Sequence, residues 1–307
     1  MSLSPDRFTG VNAAVLTPVT DDLIPDDALM LEYSNWLMAN GCDGLAILGT
    51  TGEANCFSLK ERIRIIERLI EGGIPSKSLM PGTGSCALTD AVELTRMAVK
   101  AGCGGVLMLP PFYYKNPSDA GLFRFFSEVI QRVGDSNLQI YLYHFPQMSA
   151  TPITYNLIEM LLKEYPDTVC GMKDSSGDLE NMAGAAERFP GFHVLAGAET
   201  VFLDLLKRGG AGCITACSNV TSQLAQDVYT AFQNGTDPSA ANEAMIAIRK
   251  VIQEYPLSPA LKELIARHMG NDQWHLSRPP FTTMDDVTRQ RLFNDFDAVG
   301  YALPEAA

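Results

Sequence analysis

Short apolar runs alternate with amphipathic stretches along most of this chain. The first run covers residues 11–18, and residues 26–40 follow with Leu29, Tyr33, Trp36 and Leu37 on one helical face. The second run, 43–48, is followed by a helical stretch at 58–71. Ser58 and Glu61 open that stretch with the S-x-x-E spacing of a capping box. A third run, 79–83, precedes a helix at 88–101, and a fourth, 104–109, precedes a helix at 118–133. The alternation continues with runs at 139–145, 168–172, 193–196 and 212–215. Their helices are expected at 154–164, 179–188, 200–207 and 222–233.

Strands that alternate with helices pair in parallel through right-handed crossovers. Eight such units predict an α/β fold of the (β/α)8 TIM-barrel kind, which typically needs ~250 residues. An open doubly wound sheet is the competing architecture. It would use fewer strands, and the G-x-G-x-x-G fingerprint is missing after the first run. Beyond the barrel, residues 235–307 hold no strand-like run and read as helices at 240–253, 258–268 and 284–299. The Pro-rich link Ser277-Arg278-Pro279-Pro280 precedes the last of these. The chain therefore divides into a barrel carrying the site, 1–234, and a C-terminal three-helix extension, 235–307. A piece of ~70 residues is marginal for a core of its own, so the extension is expected to pack on the barrel.

Composition narrows the function classes. Of 307 residues, 46% are hydrophobic and 19% charged, which excludes a disordered chain, a coiled coil and a collagen-like fibre. No stretch approaches the ~18 apolar residues of a membrane helix, so no membrane partner is expected. The start, Met1-Ser2-Leu3-Ser4-Pro5-Asp6-Arg7, lacks an apolar run, and no signal peptide is read there. The balance of 23 Lys+Arg against 36 Asp+Glu gives a net charge of -13, with no basic cluster. Such a surface repels phosphate backbones and argues against nucleic acid. Seven cysteines occur without a C-x-x-C pair, and four histidines without an H-E-x-x-H spacing. Small buried thiols in a reducing cytoplasm fit better than a disulfide framework, and no metal site is expected.

In a barrel the chemistry sits at the C-terminal ends of the strands. After the second run comes Gly49-Thr50-Thr51-Gly52-Glu53, a tight turn whose N–H groups and hydroxyls can converge on a carboxylate. Gly82-Thr83-Gly84-Ser85 after the third run reads as a plain turn. The fourth run ends in Pro110-Pro111-Phe112-Tyr113-Tyr114, where two adjacent tyrosines cannot readily both be buried. In the fifth run, alternation puts Tyr141, Tyr143 and Phe145 on one face and His144 on the other, which makes His144 a structural residue. The sharpest signal is Gly171-Met172-Lys173-Asp174-Ser175-Ser176-Gly177-Asp178. A lysine ending an apolar barrel strand is costly to bury charged, and burial favours the neutral amine that attacks a carbonyl. A rim ion pair with Asp174 is the alternative reading of the same residue.

Taken together, Lys173, Tyr143 and the G-T-T-G-E turn resemble the dihydrodipicolinate synthase/N-acetylneuraminate lyase family of class I aldolases. The motifs G-T-T-G-E, Tyr-x-x-Pro and G-x-K-[DE]-[ST]-x-G-[DN] stand in family order, and the resemblance covers essentially the whole chain. It implies that Lys173 forms an imine with pyruvate or another 2-oxo acid, and that Tyr143 is the acid/base. It further implies that Thr50 and Thr51 hold the substrate carboxylate beside Gly49, with a hydroxyl link from Thr50 to Tyr143. Gly197 and Ile214 would line the pyruvate pocket. A tyrosine from a neighbouring subunit of a homotetramer would complete the relay; both Tyr113 and Tyr114 match that place. No cofactor is implied, and the partners are a 2-oxo acid and an aldehyde. One position departs from the synthases of the family, which carry an arginine two residues after the Tyr-x-x-Pro proline; here it is Met148. A thioether cannot replace a bidentate cation. The Lys173-Asp174-Ser175 sequence also resembles the branches of the family that act on 2-keto-3-deoxy sugar acids or hydroxy-oxoglutarates, and this resemblance implies a lyase acting on a 2-keto-3-deoxy sugar acid or a 4-hydroxy-2-oxoglutarate-type substrate. The alternatives are the synthase that condenses pyruvate with aspartate semialdehyde, and a non-catalytic 2-oxo-acid-binding barrel.

Overall fold

Seven parallel strands form one sheet in a computed structural model that describes residues 7–305. The start read above, Met1 to Asp6, lies outside the described residues. The strands are β1 (Gly10–Ala14), β2 (Gly44–Ala46), β3 (Val106–Met108), β4 (Ile140–His144), β5 (Val169–Asp174), β6 (His193–Ala196) and β7 (Gly212–Thr215). Their order is β2-β1-β7-β6-β5-β4-β3, with every pairing parallel. The third apolar run, 79–83, forms only isolated bridges, Leu45 to Leu79 and Gly82 to Leu107. It nonetheless spans the gap between β2 and β3. Met80 and Gly82 donate to the carbonyls of Leu45 and Ile47, while Thr83 donates to Leu107. Pro81 explains why no regular strand forms there, because it has no N–H to give towards β3. With those bonds counted, the barrel closes through eight staves.

Around the staves run α1 (Asp27–Ala39), α2 (Leu59–Glu71), α3 (Leu88–Lys100), α4 (Asp119–Val133), the single turn α5 (Pro146–Ser149), α6 (Tyr155–Glu164), α7 (Leu179–Arg188), α8 (Phe202–Lys207) and α9 (Ser218–Asn234). Local chemistry sets several boundaries. The capping box at Ser58 is complete, and Gly134 ends α4 at a φ of 63°, where glycine carries no Cβ penalty. The helix expected at 222–233 begins earlier, at Ser218, with non-helical dihedrals at Thr221.

The extension consists of α10 (Ser239–Ile252), α11 (Leu257–Met269) and α12 (Asp286–Asp297). Its apolar faces share one continuous core with the barrel helices. Trp274 meets Tyr33 edge-on at 4.8 Å, and Met245, Ile248, Leu264 and Phe296 are buried in the same cluster. The Pro-rich link is clamped too. Arg278 makes a bidentate pair with Glu61 at 2.6 and 3.1 Å and covers the Phe57 ring at 4.7 Å. The hydrogen bonds from Arg278 hold the Glu61 carboxyl down at about 2. A second, smaller core fills the barrel bore with Ala14, Ala46, Met80, Leu107, Tyr141 and Leu195. All seven cysteines are free and five are buried. No helix among the described residues is long and apolar enough to cross a membrane.

Burial holds the imidazoles of His144, His193 and His268 below their usual range. The unfolded chain binds protons at these sites that the folded chain refuses. Their contribution to stability is therefore complete above pH 6.5, the ordinary imidazole value, and is lost as the pH falls below it. Thermal melts are expected to be level above that pH and to move to lower temperature on acidification. A melting temperature that stays constant down to pH 5 would contradict this.

Candidate active site

β4 and β5 lie side by side with Tyr143 opposite Lys173 in the register. Both side chains point into the bore, because the period of two that buries Tyr141 there also carries Tyr143 and Phe145 inward. Gly171 makes room for this layer, since a Cβ there would lie 2.9 Å from the Tyr141 ring. Lys173 is only 4% exposed, and its Nζ sits 4.5 Å from the centre of the Tyr143 ring. No carboxylate among the described residues pairs with it. The rim pair with Asp174 does not form. Asp174 faces the other way, accepting from the Ser176 N–H at 2.7 Å and the Asn181 side chain at 2.7 Å, and so helps to start α7. His144 likewise faces outward, accepting from the Ile153 N–H at 2.9 Å through Nδ1.

The turn after β2 brings the hydroxyls to the same place. Tyr143 Oη donates to Thr50 Oγ1 at 3.3 Å. The turn is strained at both ends, with Leu48 at φ 56° and Glu53 at φ 55°. Left-handed backbone at non-glycine residues costs of order 1–3 kcal/mol each, so the surroundings must impose it. They do so at three points. Thr17 Oγ1 donates to the Gly52 carbonyl at 2.8 Å, and Ser258 Oγ to the Thr51 carbonyl at 3.3 Å. Lys262 Nζ lies 2.7 Å from Glu53 Oε1 in an ion pair almost wholly out of solvent. Gly52 is required here, since a Cβ would lie 2.6 Å from the Val15 carbonyl.

These residues open onto a cavity of about 540 Å³ at the C-terminal ends of the strands. Thr50, Thr51, Tyr143, Lys173 and Gly197 all line it. At Gly197 a side chain would lie 2.3 Å from Ser175 Oγ, so the backbone itself forms the wall. Gly49 lines a smaller adjoining recess with Thr50 and Tyr143. Ile214 is packed in the bore, and Ala216 supplies the cavity wall beyond β7. Tyr113 and Tyr114 are 72% and 82% exposed, packed edge-on to each other at 5.2 Å. Neither hydroxyl bonds to a described residue.

Further wall residues come from two places, and those of the extension escaped the sequence reading. Ser175, Ser176, Phe145 and Met148 follow the two strands, while Arg249, Gln253, Leu257, Ser258 and Phe281 come from the extension. Arg249 in the last turn of an amphipathic helix reads as an ordinary dipole-satisfying cation. Only the docking of α10 over the barrel mouth reveals its place.

A buried amine without a counter-ion, a phenol against it, and a hydroxyl relay make up the equipment of imine chemistry. Residues 7–298 match the family model described as the dihydrodipicolinate synthetase family. The chain belongs to this family. It is a carbon–carbon lyase of the Schiff-base aldolase type. An uncharacterized DapA-like lyase of Chloroflexus aurantiacus is 36% identical over 254 residues, covering 82% of this chain and 84% of the relative. The crystal structure of dihydrodipicolinate synthase from Agrobacterium tumefaciens str. C58 superposes with a TM-score of 0.87 at 28% identity, covering 95% of this chain and 99% of that one. YagE, a prophage protein of the same family from E. coli K12 solved in complex with pyruvate, gives 0.88 at 26% identity, covering 96% and 99%.

Proposed function

We propose that this family member is a pyruvate aldolase that cleaves or forms a 4-hydroxy-2-oxo acid through an imine on Lys173. The observation that carries the reading is the unpaired Lys173 amine 4.5 Å from the Tyr143 ring in a substrate-sized cavity. The pyruvate bound by YagE, a relative of the same fold, supports the choice of 2-oxo acid.

In the cleavage direction, Nζ attacks the C2 carbonyl and water leaves, giving a protonated imine. The 4-hydroxyl loses its proton, and the C3–C4 bond breaks with its electron pair flowing into the imine. An aldehyde departs, leaving an enamine. Protonation at C3 and hydrolysis then release pyruvate and free the lysine. Tyr143, hydrogen-bonded to Thr50, is the group that moves the protons. Thr50 and Thr51 hold the carboxylate. Tyr113 or Tyr114 of a second subunit extends the relay, which makes a homo-oligomer, a tetramer by family resemblance, the working form.

Met148, in α5 at the cavity wall, supports an aldol other than the aspartate semialdehyde adduct. Its thioether offers no donor to an aldehyde's carboxylate. Incubation with pyruvate and borohydride, followed by peptide mapping, is expected to show a reduced pyruvate adduct on Lys173. A protein that stays unlabelled by pyruvate and by longer 2-oxo acids would be a binding barrel or would use other chemistry.

A further inference from the structure

Where the rest of the aldol chain goes depends on the cavity wall away from Lys173. Two lining residues are cationic, Lys173 and Arg249, and none is acidic. Arg249 is contributed by the last turn of α10, and its side chain is 19% exposed. Its closest contacts, to Glu199 Oε2 and Cys217 Sγ, both run through Nη1 at 3.7 Å. No described residue accepts a hydrogen bond from its Nε or Nη2. Glu199 is 1% exposed, and neither of its carboxylate oxygens has a hydrogen-bond partner. At that separation Glu199 balances the charge of the guanidinium without occupying its donors. A planar fork of five N–H groups, mostly unfilled, thus stands at the edge of a cavity walled by Leu257 and Phe281. Those donors are free to be taken by an acceptor on a ligand in the cavity.

We infer that Arg249 is a specificity-determining residue that binds a second acidic group, a carboxylate at the far end of the 2-oxo acid from its imine end. Glu199 supplies its counter-charge at 3.7 Å. The inference rests on the 2-oxo-acid reading of the cavity, and it narrows the substrate to dicarboxylic aldols. It also places the second anion site on the C-terminal extension and away from α5, where Met148 stands.

The test is calorimetric binding of 2-oxoglutarate and of 2-oxopentanoate, two acids of equal chain length that differ at the distal end. The wild-type protein is expected to favour 2-oxoglutarate by at least about tenfold, the scale of one charge-assisted hydrogen-bonded pair. Arg249→Gln is expected to bring the ratio of the two dissociation constants to within about twofold, and Arg249→Lys, with charge but no fork, to an intermediate value. Equal affinities in the wild-type protein, a measurement that needs no variant, would overturn the inference. So would a preference that survives Arg249→Gln. Borohydride labelling reads the other question separately. An Arg249-dependent preference without an adduct on Lys173 would overturn the imine mechanism and leave the distal carboxylate site standing.

Discussion

Turnover is expected to fall by at least about 10⁴-fold when Lys173 is replaced by alanine, with the fold intact. The first half of the expectation follows from covalent catalysis: the remaining groups can bind a 2-oxo acid and shift protons, but nothing is left to accept the electron pair of the breaking C–C bond. The second half follows from the surroundings of the residue. Lys173 has no carboxylate partner among the described residues, so its removal strands no buried charge, and its side chain borders an existing cavity. Truncations that leave a packed core hollow cost several kcal/mol, but a site that already opens to solvent is spared most of that term. Single-turnover cleavage assays beside circular-dichroism melts would check both halves. A variant that melts normally and still turns over would remove the lysine from the mechanism.

The second large effect is expected far from the reacting atoms. Lys262→Met should destabilise the protein by roughly 3–5 kcal/mol, because it leaves the buried Glu53 carboxyl without its ion-pair partner. Burial presses the ammonium of Lys262 towards its neutral form and Glu53 holds it charged, so the two groups depend on each other. The double variant Glu53→Gln/Lys262→Met removes both charges and should recover most of that loss in urea unfolding. If the single and double variants were equally unstable, the pair would matter only as packing volume. Activity gives an independent readout. With the anchor gone, the left-handed backbone at Leu48 and Glu53 is free to relax, and Thr50 moves off Tyr143.

These two predictions differ in how much of their basis was legible in the chain. Lys173 announced itself as a lone cation ending an apolar strand. Tyr143 followed from a period of two, and His144 was turned outward by the same count. Alternation of strands and helices carried the barrel, because each stave is a local pattern. The third stave was legible as an apolar run but not as bridges, since the one proline that breaks its ladder matters only once neighbours on both sides are known. Arg249 and Lys262 were invisible for a different reason. They act across separations such as the 207 residues between Thr51 and Ser258, and no periodicity encodes which helix docks over which turn. Glu53 was read as the end of a turn motif, whereas its buried partner lies in α11.

That distance has a consequence for how the protein is made. A ribosome releases the staves in order, and every residue of the β4–β5 pair emerges before α10 and α11 exist. Until the last helices arrive, Glu53 has no counter-ion, Thr51 lacks the hydroxyl of Ser258, and the mouth has no Arg249. The nascent barrel carries its nucleophile early but lacks the fixed turn that would hold a substrate against it. The fixed turn is therefore completed only by the last helices, and a chain cut short after the eighth stave loses that anchor together with the part of the core that Trp274, Leu264 and Phe296 share with the barrel helices.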